Sequence, residues 1–188
     1  KKKKNRAYLA AEDRTFFEHG GLDYPGIATA IVSNITNSGR PIGASTITQQ
    51  VAKNLLLSGE ISYRRKVREA ILAYRIEDAL TKEEILELYL NQIFLGRNAY
   101  GVQAAAQAYF GKDVDALALH EIAYLAILPK GPSNYRPEAH EQRAISRRNW
   151  VLGRMLDNGW INDAQHQAAV AQPLGTISRS GPRFERVG

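Results

Sequence analysis

Apolar residues recur at spacings of three and four along most of the chain, and nowhere do β-branched residues alternate with period two over a sustained run. The pattern therefore predicts an all-α fold of helices joined by short turns. Tyr8-Leu9-Ala10-Ala11 predicts a buried helix end, with Glu12 where that apolar segment meets a polar loop. Asp23-Tyr24-Pro25 reads as a helix start with proline in the first turn, and Ile27 and Ile31 share a face of the helix that follows. Asn34 to Ile42 reads as a loop by composition. Ser45 or Thr46 is then the expected N-cap of a helix whose Ile47, Val51 and Leu55 fall on one buried face, while Gln50, Lys53 and Asn54 line another.

Leu55-Leu56-Leu57 is more apolar than one helix face requires, and Ser58-Gly59-Glu60 breaks the pattern. It resumes over Ser62 to Asp78, where Val67, Ala70, Ile71 and Tyr74 have core spacing. Thr81 and Glu84 form a capping box that opens a helix with Ile85, Leu86, Tyr89 and Ile93 as core. Gly96 to Gly101 reads as a turn, Val102 to Phe110 as an alanine-rich helix ended by Gly111, and Leu117 to Leu128 as the central buried helix. Pro129 to Tyr135 stops it and sets Lys130 in a rigid loop. A long helix from Pro137 to Asn158, closed by Gly159, and a short one from Asn162 to Ala171 complete the set.

With 188 residues, 44% hydrophobic and 23% charged, the chain has the size of one globular domain with a real core. It has no cysteine, which excludes a disulfide framework, a thiolate nucleophile and a thiolate metal site. Its formal charge is +6, but Lys1 to Lys4 carry four of those charges, so a nucleic-acid partner is not expected. The KKKK start reads as an artificial lead-in over residues 1–6. Residues from Pro173 on read as a tail, and 176–188 as a linker toward a further domain. No apolar run approaches the ~20 residues that a membrane-spanning helix needs.

The candidate chemistry begins at Ala11 to Gly21, AEDRTFFEHGG, where Glu12, Asp13, Arg14, Glu18 and His19 surround Phe16-Phe17. A carboxyl at an apolar boundary has its pKa raised by desolvation and becomes a usable base; the plain alternative is a helix end whose charges pair with each other and with water. Arg65 and Lys66 lie four and three residues before Glu69, so two cations and a carboxylate share a neighbourhood, which is equally the spacing of a surface ion-pair ladder.

Five stretches together resemble the peptidoglycan glycosyltransferases of glycosyltransferase family 51, which include the N-terminal domains of class A penicillin-binding proteins. They are Glu12-Asp13 with Phe16, His19 and Gly21; Gly43 to Gln50 with Lys53-Asn54; Arg65-Lys66 with Glu69; Lys82 with Ile85 to Asn91; and Arg147-Arg148 with Val151-Leu152. They occur in the family's order, and the resemblance places the domain at residues 7–175. The family's N-terminal membrane helix and downstream transpeptidase domain have no counterpart in this sequence, so penicillin binding is not expected of it.

The resemblance implies a lysozyme-like helical domain with a larger globular lobe and a smaller membrane-facing lobe. It implies lipid II and the growing glycan chain as substrates, joined in a β-1,4 bond with inversion at the anomeric carbon and release of undecaprenyl diphosphate. Glu12 matches the catalytic base and Glu69 the second essential carboxylate. Ser45, Thr46, Gln50, Lys53, Arg65 and Lys66 match the diphosphate and donor-sugar side of the cleft, and Asp13, His19, Asn54, Lys130 and Ser133 match other cleft-lining positions. It further implies inhibition by phosphoglycolipids of the moenomycin type, and a location at the outer face of the bacterial cytoplasmic membrane.

The residue types suit those roles. A carboxylate can take the proton of a weakly nucleophilic sugar hydroxyl. A departing diphosphate needs no proton, but its charge must be met by fixed cations, and the hydroxyls and backbone N–H groups at the start of the Ser45 helix offer an anion site. Glu69 either orients the basic side chains or holds a divalent cation, Mg2+ or Mn2+. Ile35, Ile42 and Leu55 to Leu57, with Arg40 and Arg64 nearby, are either core or a surface that dips into the membrane interface. The rival readings are a lysozyme-like hydrolase or lytic transglycosylase, which has no diphosphate to hold, and a non-catalytic lipid- or glycan-binding scaffold.

Overall fold

The computed structural model describes residues 2–36, 43–56 and 62–178, with side chains from Lys4 onward. Of the sequence expectations, those on Lys1, Arg40, Ile42, Leu57, Ser58 to Glu60 and 179–188 lie outside the described residues. Nine α-helices are present among the described residues: α1 (Lys2–Glu12), α2 (Tyr24–Thr36), α3 (Ile47–Leu55), α4 (Tyr63–Ala79), α5 (Lys82–Gln92), α6 (Val102–Phe110), α7 (Leu119–Ile127), α8 (Pro137–Asp157) and α9 (Asp163–Val170). No strand forms among these residues; the nearest approach is an isolated bridge between Phe94 and Tyr100. The all-α expectation holds.

α7 is the centre. Every residue from Glu121 to Ile127 is buried, and the helix packs against α1, α6, α8 and α9. Its one buried acid is satisfied: Glu121 accepts the Ala118 N–H at 2.8 Å and pairs with Lys112 Nζ at 2.7 Å. α1 lies between α7 and α8, burying Ala7 to Ala11, so its last residue, Glu12, emerges from the core. A second layer is built from α3 against α4 and α5. Local signals set these helices as expected: Thr81 caps α5, with Glu84 returning to its N–H at 2.8 Å, and Gly111 ends α6 at φ 62°, a left-handed conformation that costs glycine least.

Three expected core positions are instead on the surface. Val67, Ile71 and Tyr74 of α4 are 59%, 51% and 44% exposed, and the face that meets α3 and α5 carries Glu69, Ala73 and Ile76. Both stripes of α4 carry apolar residues at helical spacing, the buried one together with Glu69. The one with Ala73 is chosen because a small side chain lets α3 approach closely. Leu55 also faces out, beyond the end of the layer that buries Ile47 and Val51. α2 buries only Ala30 and leaves Ile31, Val32 and Ile35 exposed, joined to α4 through the hydroxyls of Tyr24 and Tyr74. It extends to Thr36, past the point where a loop was expected. None of the described helices is long and apolar enough to cross a membrane.

Candidate active site

A cleft of about 750 Å³ opens between the α1–α2 connection, the inner face of α2 and the start of α3. Glu12, Asp13 and His19 form one wall, Ser45 and Thr46 another, and Thr29 and Ser33 of α2 a third. Glu12 sits at its floor with a side chain only 2% exposed. Its Oε2 accepts a hydrogen bond from Gln50 Nε2 at 3.0 Å and lies 3.7 Å from Lys130 Nζ. Its buried Oε1 has no partner in the protein. Burial pushes the Glu12 carboxyl above its ordinary pKa, while Lys130, Gln50 and Arg147 oppose that rise. Gln50 is itself held, since its Oε1 accepts from the Tyr89 hydroxyl at 3.4 Å.

Asp13 has a different task. Its Oδ2 accepts the Ile47 N–H at 2.9 Å, and the two carboxylate oxygens lie 3.0 and 3.1 Å from His19 Nε2. A buried carboxylate thus already sits at the positive end of the α3 dipole. Thr46 is the cap: its hydroxyl accepts from Gln49 N at 3.1 Å and donates to Gly21 O at 2.6 Å. The expectation that the start of α3 offers free amides and hydroxyls to an anion is therefore corrected for Ile47 N and Thr46 Oγ1, which are used internally. Ser45 remains at the surface of the cleft.

Ser45 connects the cleft to the cationic cluster. Lys66 Nζ donates to Ser45 Oγ at 3.0 Å and to Glu69 Oε1 at 2.5 Å. Glu69 is 2% exposed while Lys66 is 51% exposed, so the buried acid holds an ammonium group that faces solvent at the rim. Arg65 is half-buried one residue before Lys66. Lys53 and Asn54 are exposed in the last turn of α3, outside the lining of the Glu12 cleft. Ser133 also lies elsewhere, in a second pocket across the Pro129 to Tyr135 loop. Among the described residues no group of three or more His, Cys, Asp or Glu side chains is placed to hold a metal ion. One Glu69 oxygen already holds the Lys66 ammonium, so a divalent cation bound there would have to displace that pair.

Two residues on α8 belong to this site without having been assigned a role. The Arg147 charge reaches Glu12, and its guanidinium lies 3.8 Å from the centre of the Trp150 ring. Arg154, seven residues on, lines the cleft. Seven residues are two helical turns, so their shared face was visible in the spacing. Arg148 points the other way; it is fully buried and donates to Pro173 O at 3.0 Å and Val170 O at 3.2 Å, tying α8 to the end of α9.

Comparison with known proteins matches residues 2–156 to the transglycosylase family model. Penicillin-binding protein 1A of Haemophilus influenzae is 51% identical over 179 residues, 95% of this chain and 21% of the relative. The protein of the same name from Aquifex aeolicus is 53% identical over 179 residues, again 95% of this chain and 24% of the relative. That from Escherichia coli is 54% identical over 160 residues, 85% and 19% of the two. The chain thus spans about a fifth to a quarter of the length of the curated relatives it matches. A crystal structure of Penicillin-binding protein 1A from Haemophilus influenzae resembles it with a TM-score of 0.50 at 41% identity, covering 68% of this chain and 17% of that one. The helical architecture is accordingly lysozyme-like, and the chain belongs to the transglycosylase family of peptidoglycan glycosyltransferases.

Proposed function

We propose that this domain polymerises lipid II into β-1,4 glycan strands. The 4-hydroxyl of one lipid-linked disaccharide attacks the anomeric carbon of the growing chain's terminal sugar, configuration inverts, and undecaprenyl diphosphate leaves. The observation that carries the reading is the environment of Glu12: one oxygen held by Gln50 beside Lys130, the other without a protein partner at the floor of an open cleft. A carboxylate so placed can take the hydroxyl proton as the glycosidic bond forms, a contribution of ~10²- to 10⁴-fold. Lys66, with Arg65 beside it, supplies positive charge for the departing diphosphate, and Glu69 positions Lys66. Lys53 stands farther out and meets the same anion from the rim. A phosphoglycolipid of the moenomycin type would compete for that charge.

The exposed apolar residues of α2, together with Leu55, would rest on the outer face of the cytoplasmic membrane, where the lipid-linked substrate is found. Vesicle flotation with the parent chain and with Ile35→Glu tests this, and equal flotation of a folded variant would remove the membrane contact. The reaction itself is tested by incubating labelled lipid II with the parent and with Glu12→Gln. Polymer from the first and almost none from the second is expected. Release of soluble muropeptides from purified cell-wall glycan, without polymer from lipid II, would instead establish a lysozyme-like hydrolase.

A further inference from the structure

Lys82 opens α5, and its place there runs against local preference. A cation in the first turn of a helix meets the positive end of the dipole, where acids such as Glu83 and Glu84 are favoured. Such a local cost is kept where a tertiary contact needs the residue. The Lys82 ammonium is largely buried, 2.7 Å from Glu77 Oε1 near the end of α4 and 4.4 Å from the centre of the Phe16 ring. Phe16 is fully buried, in the connection between α1 and α2.

From Phe16 a closed ring of contacts runs round the foot of the cleft. The Phe16 ring stands edge-to-face against His19, with centres 6.2 Å apart, and His19 Nε2 meets both oxygens of Asp13. Asp13 accepts the Ile47 N–H at the start of α3, and one residue on, the Thr48 hydroxyl donates to Glu77 Oε1 at 2.5 Å. Glu77 returns to Lys82. Gly21 lies against the same ring: Thr46 Oγ1 donates to its carbonyl, and a Cβ placed on it would be 3.2 Å from Glu77 Cγ. The ring thus joins the wall of Glu12, Asp13 and His19 to the wall of Ser45 and Thr46. Lys82, Glu77 and Phe16 do not themselves line the cleft.

We propose that Lys82 is a positioning residue for the transfer reaction: its ammonium locks Phe16 to Glu77 and so fixes the distance between Glu12 on one wall and the Lys66 ammonium held at Ser45 on the other. The proposal rests on the polymerase reading above, since it takes both walls to act on one substrate at the same moment. A misplacement of ~1 Å caused far from the chemistry can cost about 100-fold in rate. One contact of Lys82 is charge-assisted and the other is cation–π, and an arginine can make both.

The test combines lipid II kinetics with amide hydrogen exchange on the 188-residue chain. Lys82→Met keeps an apolar stem against Phe16 and removes the charge; it should lower kcat about 10-fold, with KM for lipid II within about twofold of the parent. Lys82→Arg should bring kcat back to within about threefold. The Ile47 amide, held by Asp13, should exchange at least ~10-fold faster in Lys82→Met, while amides of Ile122 to Ile127 in α7 keep their protection. Lys112→Met breaks an ion pair of the same length at Glu121, outside the cleft, and should leave kcat unchanged. An equal loss of kcat in Lys112→Met, a loss confined to KM, or an Ile47 amide as protected in Lys82→Met as in the parent would overturn the positioning role. So would fast exchange at Ile47 with kcat intact, which would make the ring a support of the fold alone. Glu12→Gln should abolish polymerisation and leave exchange at Ile47 unchanged, so the polymerase reading and this one fail separately.

Discussion

Glu12 and Glu69 are side chains buried to the same degree, each 2% exposed, the first at the floor of the cleft and the second linked to its wall through Lys66 and Ser45. Glu69 has an ammonium in direct hydrogen-bond contact at 2.5 Å, and that ammonium goes on to Ser45. Glu12 has its nearest ammonium at 3.7 Å and one oxygen with no protein partner. Burial alone therefore does not assign a carboxylate its role. A close cation makes Glu69 a holder of charge; a more distant one leaves Glu12 with a raised pKa and an oxygen free to accept a proton.

The sharpest way to break this comparison is to exchange each carboxylate for its amide. Glu12→Gln should lower polymerisation by ~10²- to 10⁴-fold, because the proton acceptor itself is lost; a drop below tenfold would show that Glu12 is not the base. Lys66→Met and Glu69→Gln should each cost ~10- to 100-fold, the worth of a hydrogen bond to a charged group. That loss should appear mainly in KM for lipid II, and the double variant should be little worse than either single one. Additive losses in a double-mutant cycle would mean that Glu69 acts on the substrate without Lys66.

pH dependence separates the two acids further. Glu12 must be ionised to act, and burial raises its pKa, so activity should fall on acidification from a pH above the ordinary carboxylate range. Gln50→Leu removes a group that favours the ionised form, and should move that acid limb to higher pH. Glu69→Gln should leave it in place. The smallest effect is on stability. A carboxyl whose folded pKa is raised contributes most when protonated, below its unfolded pKa, and loses that contribution as pH rises through its folded value. Glu12→Gln should therefore unfold at a higher temperature than the parent at pH 7, with the difference shrinking toward pH 4. An equal or lower melting temperature at pH 7 would indicate that ionised Glu12 is well solvated.

The residues of the site were legible to different depths. Glu12 could be placed at a helix end by the apolar run before it, Thr81 was recognisable as a cap and Thr46 as one of two candidates with Ser45, because these are local features set within a few residues. That Thr46 and Ile47 N spend their hydrogen bonds on Gly21 and Asp13 was not legible, since those partners are 25 and 34 residues away. Arg147 and Arg154 were written in the sequence at a spacing of seven, but nothing local says that this face of α8 turns toward Glu12.

The sequence by itself determined the helices, those of their ends that a cap or a glycine marks, the central place of α7 and the set of charged residues from which a site could be made. Periodicity and capping act over one or two turns, and no distant contact is needed to read them. Tertiary structure decided which of two apolar stripes on α4 faces inward, which helix-start amides stay free, and which of two buried glutamates lies against an ammonium. Each of those depends on distances between segments far apart in the chain. Hydrogen bonds and ion pairs change character within an ångström, whereas the pattern of apolar residues is indifferent to it.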